Sequence, residues 1–391
     1  MKKRILLAGI CVLFTACSAV EPVSTVTPPI MTTQIPPAVT TIAEIPLEAS
    51  AFTQTPAEIS PIPINPDASD SAAEVLAYLT EQYGRRTLSG QFISTSSAEE
   101  IKALEQVTGR KPAILMADLG GYAKDALPDD VLGTAVSWGK SGGLVSLMWH
   151  WEAPAGKAAL YSEETDFNLS KAVTEEDIAQ KTPEELDKLR TEGKIPEETM
   201  ALVRDIDSIS QQLARLQEEG IPVLWRPLHE AAGGWFWWGA EGKEAYQWLW
   251  KLLYDRQTRY HKLNNLLWVW NGQAAEWYVG DGLCDIISAD VYTQEKDHSG
   301  QPDLFKELSL ISEKSKLLAI SECGCLPDAN SMHRESAVWS YFGLWFGEYS
   351  ALRSDKASGA DYNTQEQFIQ TYNSEGIITL DELPEFTYVQ K

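Results

Sequence analysis

The sequence predicts a single (β/α)8 TIM barrel of the α/β class behind a disordered N-terminal stalk. Three observations carry that reading. Short apolar runs recur eight times across residues 67–391, longer helix-patterned stretches separate them, and most of the runs are continuously apolar. Strands buried on both faces of a parallel sheet read that way, whereas half-exposed strands alternate. Strand–helix units in that number suit a barrel with helices around it. A doubly wound open sheet would not naturally supply them, and no GxGxxG or GxxxxGK phosphate loop stands near a strand end.

Residues 1–17 have the layout of an export signal. Lys2, Lys3 and Arg4 precede an apolar run from Ile5 to Phe14, too short to span a bilayer, and Thr15 and Ala16 lead into Cys17. That ending resembles a bacterial lipobox, so lipidation is expected at Cys17. The expected location is extracytoplasmic, with the chain lipid-anchored to the cell membrane or secreted. Residues 18–66 contain no Lys or Arg, only four acids, eight threonines and 10 of the 20 prolines. Such a stretch cannot bury a core and is expected to be an extended linker.

The folded part is expected over residues 67–391 and holds all 14 tryptophans. The 56 acidic and 32 basic side chains give the chain a formal net charge of −24. That surface repels phosphate backbones and anionic lipid, which argues against a nucleic-acid partner and against membrane contact other than a lipid anchor. An uncharged substrate is compatible with it.

The eight strand candidates are 88–92, 113–117, 144–149, 222–227, 266–270, 285–290, 316–321 and 338–345. Gly142 and Gly143 read as a helix stop before the third strand. Leu202, Ile206, Ile209, Leu213 and Leu216 give a helix one apolar face, and Gly220 ends it before the fourth strand. The connection from Trp151 to Met200 is unusually long and charged. After a third strand it lies on the C-terminal face, as a solvated excursion or a wall of the binding cleft. Cys284, Cys323 and Cys325 are too few for a disulfide framework and are expected to be buried free thiols. The five histidines show no ligand spacing, so neither a metal nor a cofactor is expected.

Two glutamates end strands. Glu230 follows the fourth run and Glu322 the seventh, so both carboxyls open into one mouth of a barrel. A pair about 5–5.5 Å apart is what a retaining glycoside hydrolase needs, one as nucleophile and one as proton donor. Gly233 and Gly234 let a loop carry Trp235, Phe236, Trp237 and Trp238 close to that mouth. Aromatic faces stack on sugar rings, and the expectation is that two of the four pack while the others face sugar. His150 and Trp151 end the third strand, His229 precedes Glu230, and Asp290 and Tyr292 end the sixth strand.

The run WRPLHEAAGGWFWWG (Trp225 to Gly239) closely resembles the signature of glycoside hydrolase family 26, whose members are mostly β-mannanases. TDFNLSKAV (Thr165 to Val173), WVWN (Trp268 to Asn271), DVY (Asp290 to Tyr292) and ISECG (Ile320 to Gly324) extend the likeness in order, over about residues 85–350. The resemblance implies a retaining barrel with Glu230 as acid/base and Glu322 as nucleophile. It places His150, His229, Trp235, Tyr292 and Trp345 around the sugar beside the cleaved bond. His229 is expected to read the axial C2 hydroxyl of mannose. The implied activity is endo-cleavage of β-1,4-linked plant mannan or glucomannan. A mixed-linkage glucanase or xylanase of the same family, and a non-catalytic sugar-binding lipoprotein, stay open as alternatives.

Overall fold

The computed structural model describes residues 59–122, 129–293, 296–350 and 362–388. The signal, its Cys17 and residues 18–58 of the linker lie outside the described residues. In chain order the elements are α1 (Asp70–Gln82), β1 (Thr87–Phe92), α2 (Glu99–Thr108), β2 (Ile114–Asp118), α3 (Val131–Lys140), β3 (Leu144–Met148), α4 (Leu169–Ala172), α5 (Pro183–Thr191) and α6 (Glu197–Glu218). They continue with β4 (Val223–Arg226), α7 (Lys243–Asp255), β5 (Leu266–Trp270), β6 (Ile286–Val291), α8 (Pro302–Ser309), β7 (Leu317–Cys323), α9 (Ala329–Arg334), β8 (Tyr341–Leu344), α10 (Gln365–Tyr372) and β9 (Ile377–Ile378).

Strands β1 to β8 pair in parallel in sequence order, and β8 returns to β1, so the sheet closes into the expected (β/α)8 barrel. Each of the eight sequence runs overlaps a strand. The ninth, β9, was not foreseen. Leu88 of β1 pairs with Tyr341 of β8 on one edge and Ile378 of β9 on the other, while Gly90 onward pairs with β2. Thus β9 fills the lower gap between β1 and β2. Ser89 Oγ donates to the Ile378 carbonyl at 2.8 Å, and Arg86 donates to the Glu375 and Ile377 carbonyls at 2.8 Å each.

The helix stop at Gly142 (φ +94°) and the α6 face are as the periodicity predicts: Leu202, Ile206, Ile209, Leu213 and Leu216 are all fully buried, and Gly220 turns at φ +72°. The linker, however, ends earlier than residue 66. Ile59 and Asn65 are buried, and the Ile64 amide donates to Asp285 Oδ1 at 2.8 Å. A few apolar residues suffice to pack against the barrel once a carboxylate satisfies the backbone, whatever the proline content around them.

The excursion after β3 is anchored. Arg256, fully buried, is clamped by Asp207 of α6 (Nε to Oδ1 2.5 Å, Nη2 to Oδ2 2.7 Å) and donates to the Ala179 and Lys181 carbonyls at 3.1 Å each. Further up, Tyr161 forms a β-bridge with Phe236, and the Trp237 amide donates to Leu160 O at 3.1 Å. The excursion therefore braces the loop that carries Glu230. Cys284, Cys323 and Cys325 are free and buried, as expected.

Candidate active site

Arg226 is the terminal residue of β4, a cation in an otherwise apolar strand. Beyond it the chain turns through two left-handed residues, Leu228 (φ +51°) and Glu230 (φ +55°). Each such conformation costs about 1–2 kcal/mol for a residue with a Cβ. Specific bonds offset it: the Glu230 amide donates to the Asn271 carbonyl at 2.7 Å and to its Oδ1 at 3.1 Å, and Trp238 Nε1 donates to the His229 carbonyl at 2.8 Å. Of the four aromatics that follow, Phe236, Trp237 and Trp238 are buried and only Trp235 is half-buried. The division is three to one, because Trp237 and Trp238 spend their indole N–H groups on backbone carbonyls.

Glu322 sits inside β7 rather than on a loop. Ala289 pairs with Ile320 but Asp290 pairs with Glu322, so β7 carries one extra residue, Ser321. The same irregularity falls between Ile320 and Cys323 on the β8 side. A bulge re-aims the side chain beside it, here Glu322 into the barrel mouth.

The partners of the two glutamates differ in kind. Glu322 Oε2 accepts from Arg226 Nη2 at 2.5 Å, and its Oε1 accepts from the Tyr292 hydroxyl. Among the described residues the donors to Glu230 are neutral: Trp235 Nε1 at 3.1 Å from Oε2 and Gln273 Nε2 at 3.5 Å from Oε1. Asp290 takes the other nitrogen of the guanidinium (Arg226 Nη1 to Oδ2 2.6 Å). Two buried carboxyls thus share one arginine, with Glu230 as a third carboxyl close enough to feel their charge. Burial, then the charges of Asp290 and Glu322, push Glu230 well above the carboxylate range. Burial and Asp290 also push Glu322 up, to about 7, against the pull of Arg226, Tyr292 and His150. The carboxyl facing a cation and a phenol ionises; the one facing neutral N–H groups keeps its proton.

Beside the pair, His150 hydrogen-bonds Asp118 (Nδ1 to Oδ2 3.0 Å) and faces His229 (Nε2 to Nε2 3.3 Å). Burial would lower His150, but the Asp118 carboxylate outweighs it and raises the imidazole. His229 is held well below its ordinary value by burial, then by Arg226 and His150. A protonated His150 can therefore donate to a neutral His229.

The structure gathers Glu230, Glu322, His150, His229, Trp235, Tyr292 and Trp345 at one mouth. Trp345 is half-buried, stacked on Phe346 with ring centroids 4.5 Å apart, and lies 6.4 Å from the His150 ring. Three of the expected substrate contacts need correction. Trp151 is fully buried, stacked on Trp149 at 4.2 Å, with its N–H on Asp205 at 2.8 Å, so it packs beneath the site. The Asp290 carboxyl is likewise sealed, bonded to Arg226, Asn271 and Ser321. His229 is 2% exposed, its ring lodged among His150, Phe236 and Trp238, so His150 presents the accessible imidazole. Sequence reasoning assigned no role to Arg226, Asp118, Asn271 or Gln273. Arg226 had a signal: a charge within an apolar strand must find buried partners. Among the described residues no group of three His, Cys, Asp or Glu side chains could hold a metal ion.

The chain resembles known proteins over this whole region. The family model described as "Glycosyl hydrolase family 26" matches residues 64–371. A mannan endo-1,4-beta-mannosidase of Thermothelomyces thermophilus is 35% identical over 332 residues, 82% of this chain and 62% of that protein. The chain spans only 52% and 55% of the two Piromyces mannan endo-1,4-beta-mannosidases, A and B, that it also matches. Among solved structures, a GH26-CBM35 β-(1,4)-mannanase of Podospora anserina superimposes with TM-score 0.75 at 33% identity, over 87% of this chain and 72% of that one. A β-mannanase from a symbiotic protist of the termite Reticulitermes speratus, complexed with gluco-manno-oligosaccharide, gives 0.72 at 31%, over 84% and 99%. With its closed barrel, its strand-borne Glu322 and its loop-borne Glu230, the chain belongs to glycosyl hydrolase family 26.

Proposed function

We propose that the chain is a retaining endo-β-1,4-mannanase acting on mannan or glucomannan. One observation carries the reading: two buried glutamates at a single barrel mouth, one bonded to a guanidinium and a phenol, the other to neutral donors. Glu322, ionised, attacks the anomeric carbon while Glu230 gives its proton to the departing glycosidic oxygen. Glu230, now a carboxylate, takes a proton from water, which cleaves the glycosyl–Glu322 ester and regenerates both groups. Two displacements restore the starting configuration. Trp235 and Trp345 supply faces for the sugar rings. The similarity to mannan endo-1,4-beta-mannosidases supports mannan as the polymer.

Early-time NMR of the products should show the retained anomer; the inverted one would remove Glu322 as nucleophile. Initial rates should be highest on purified mannan or glucomannan, and equal rates on mixed-linkage glucan or xylan would replace the substrate while keeping the hydrolase. The N-terminal pattern around Cys17 supports a lipid-anchored, extracytoplasmic enzyme. Lipid labelling abolished by Cys17→Ser tests that placement.

A further inference from the structure

The motif WVWN ends in Asn271, which the reading above gives no task. Asn271 is fully buried, and every arm of its amide is used. Nδ2 donates to Asp290 Oδ1 at 2.8 Å and to Ser321 Oγ at 2.8 Å. Oδ1 accepts from the Glu230 amide at 3.1 Å, and the Asn271 carbonyl accepts from that same amide at 2.7 Å. One side chain at the end of β5 thus reaches the loop after β4, the end of β6 and the bulge of β7.

We propose that Asn271 is the positioning residue that sets the two catalytic carboxyls relative to each other. This rests on the reading of Glu230 as acid/base and Glu322 as nucleophile. On the Glu230 side, the double acceptor holds a backbone that has turned into the left-handed region. On the Glu322 side, the bond to Ser321 pins the extra residue that re-aims the nucleophile. Between them, the bond to Asp290 keeps that carboxylate seated on Arg226, whose other nitrogen holds Glu322.

Only a carboxamide meets these demands. It carries two donors and one strong acceptor in one plane and adds no charge to a cluster of three carboxyls and one arginine. An aspartate would set an oxygen against Asp290, and a leucine would remove the side-chain acceptor of the Glu230 amide and the donor to Asp290 Oδ1 and Ser321 Oγ. The separation matters because carboxyls about 5–5.5 Å apart retain configuration, whereas those about 6.5–9.5 Å apart leave room for water and invert it. A misplacement of about 1 Å in such a site can cost about 10²-fold in rate.

The test compares the full-length wild type with Asn271→Asp and Ser321→Ala. The readouts are kcat, KM and the pH profile on mannan and on an activated aryl β-mannobioside, together with thermal midpoints and NMR titration of 13C-carboxyl-labelled glutamate in the free enzyme. Arg226, Asp290, Tyr292, His150, Tyr161, Cys323 and Tyr349 also act on the pair, and both variants keep them all. Asn271→Asp should lower kcat about 10²-fold with KM nearly kept. The added negative charge should also move both pH limbs up by about one unit. Ser321→Ala adds no charge and should lower kcat less, with its thermal midpoint nearly kept; it carries the test if the aspartate variant does not fold. A fall in kcat for Asn271→Asp with both limbs unmoved, or a fully active Ser321→Ala, would overturn the proposal. If the wild type cleaves no β-glycan, the hydrolase reading fails, and the carboxyl titrations still show whether Asn271 governs the pair.

Discussion

The loop after β4 and the end of β7 each deliver a glutamate to the same mouth, by opposite means. Glu322 is carried by a strand whose ladder is interrupted by one residue, and its charge is met by Arg226 and Tyr292. Glu230 is carried by a turn with two left-handed residues, fixed by backbone bonds to Asn271 and by buried tryptophans, and its carboxyl meets neutral N–H groups. The difference is how, on the proposed mechanism, one residue type is given two jobs. The strand places a carboxylate where a cation already stands; the loop places a carboxyl where burial and neighbouring charge keep it protonated.

The hardest break is to remove each glutamate. Glu322→Ala should abolish turnover on mannan and on activated aryl β-mannosides alike, because no covalent intermediate can form. Glu230→Ala should lose about 10²–10⁴-fold on mannan and recover much of it on the activated substrate, which needs little protonation. Equal losses for both variants on the aryl substrate would show that the two regions are not differentiated in this way.

A milder break is to take away the strand's cation. Wild-type kcat/KM should fall as pH drops through about 7, where Glu322 gains a proton. It should fall again at higher pH, where Glu230 loses its own. Arg226→Met should move the acid limb upward, since the charge that favours ionised Glu322 is gone. It also leaves Asp290 buried without its cation, a loss of about 3–5 kcal/mol in urea unfolding. An acid limb that stayed in place would mean that Arg226 does not hold the nucleophile's charge.

The smallest change sharpens the loop's side of the contrast. Trp235→Phe keeps a stacking ring and deletes the N–H that donates to Glu230 Oε2. That bond favours the ionised carboxylate, so its loss should move the alkaline limb upward while kcat changes by a few-fold. A downward movement would show that the indole stabilises the protonated form instead.

Much of this contrast was legible in the residues, and the reason is geometric. The eight apolar runs fix where strands end, and a barrel sends all strand ends to one face, so Glu230, Glu322, His150 and Tyr292 could be brought together without coordinates. Side-chain direction was not legible. Trp151 adjoins His150 yet packs inward, and His229 adjoins Glu230 yet lies under His150, because backbone turns at a strand end do not keep strand alternation. Asp290 looked like a substrate ligand for the same reason that Arg226 was passed over: each is explained only by the other, across the barrel. The β7 bulge leaves no mark in composition, and β9 is too short for periodicity to register.

The small strand β9 bears on how the molecule comes into being. The lower edge of β1, among the earliest segments to be synthesised in the domain, stays unpaired until Ile377 and Ile378 arrive. Pairings so distant in sequence form slowly, because the intervening chain must be ordered before the contact rewards it. A growing chain therefore presents an open sheet edge for nearly the whole of its synthesis, the form in which unfinished sheets stick to one another. Cutting the chain just before Ile377 should leave every named active-site side chain in place on paper. In practice it should yield a protein that aggregates as it folds.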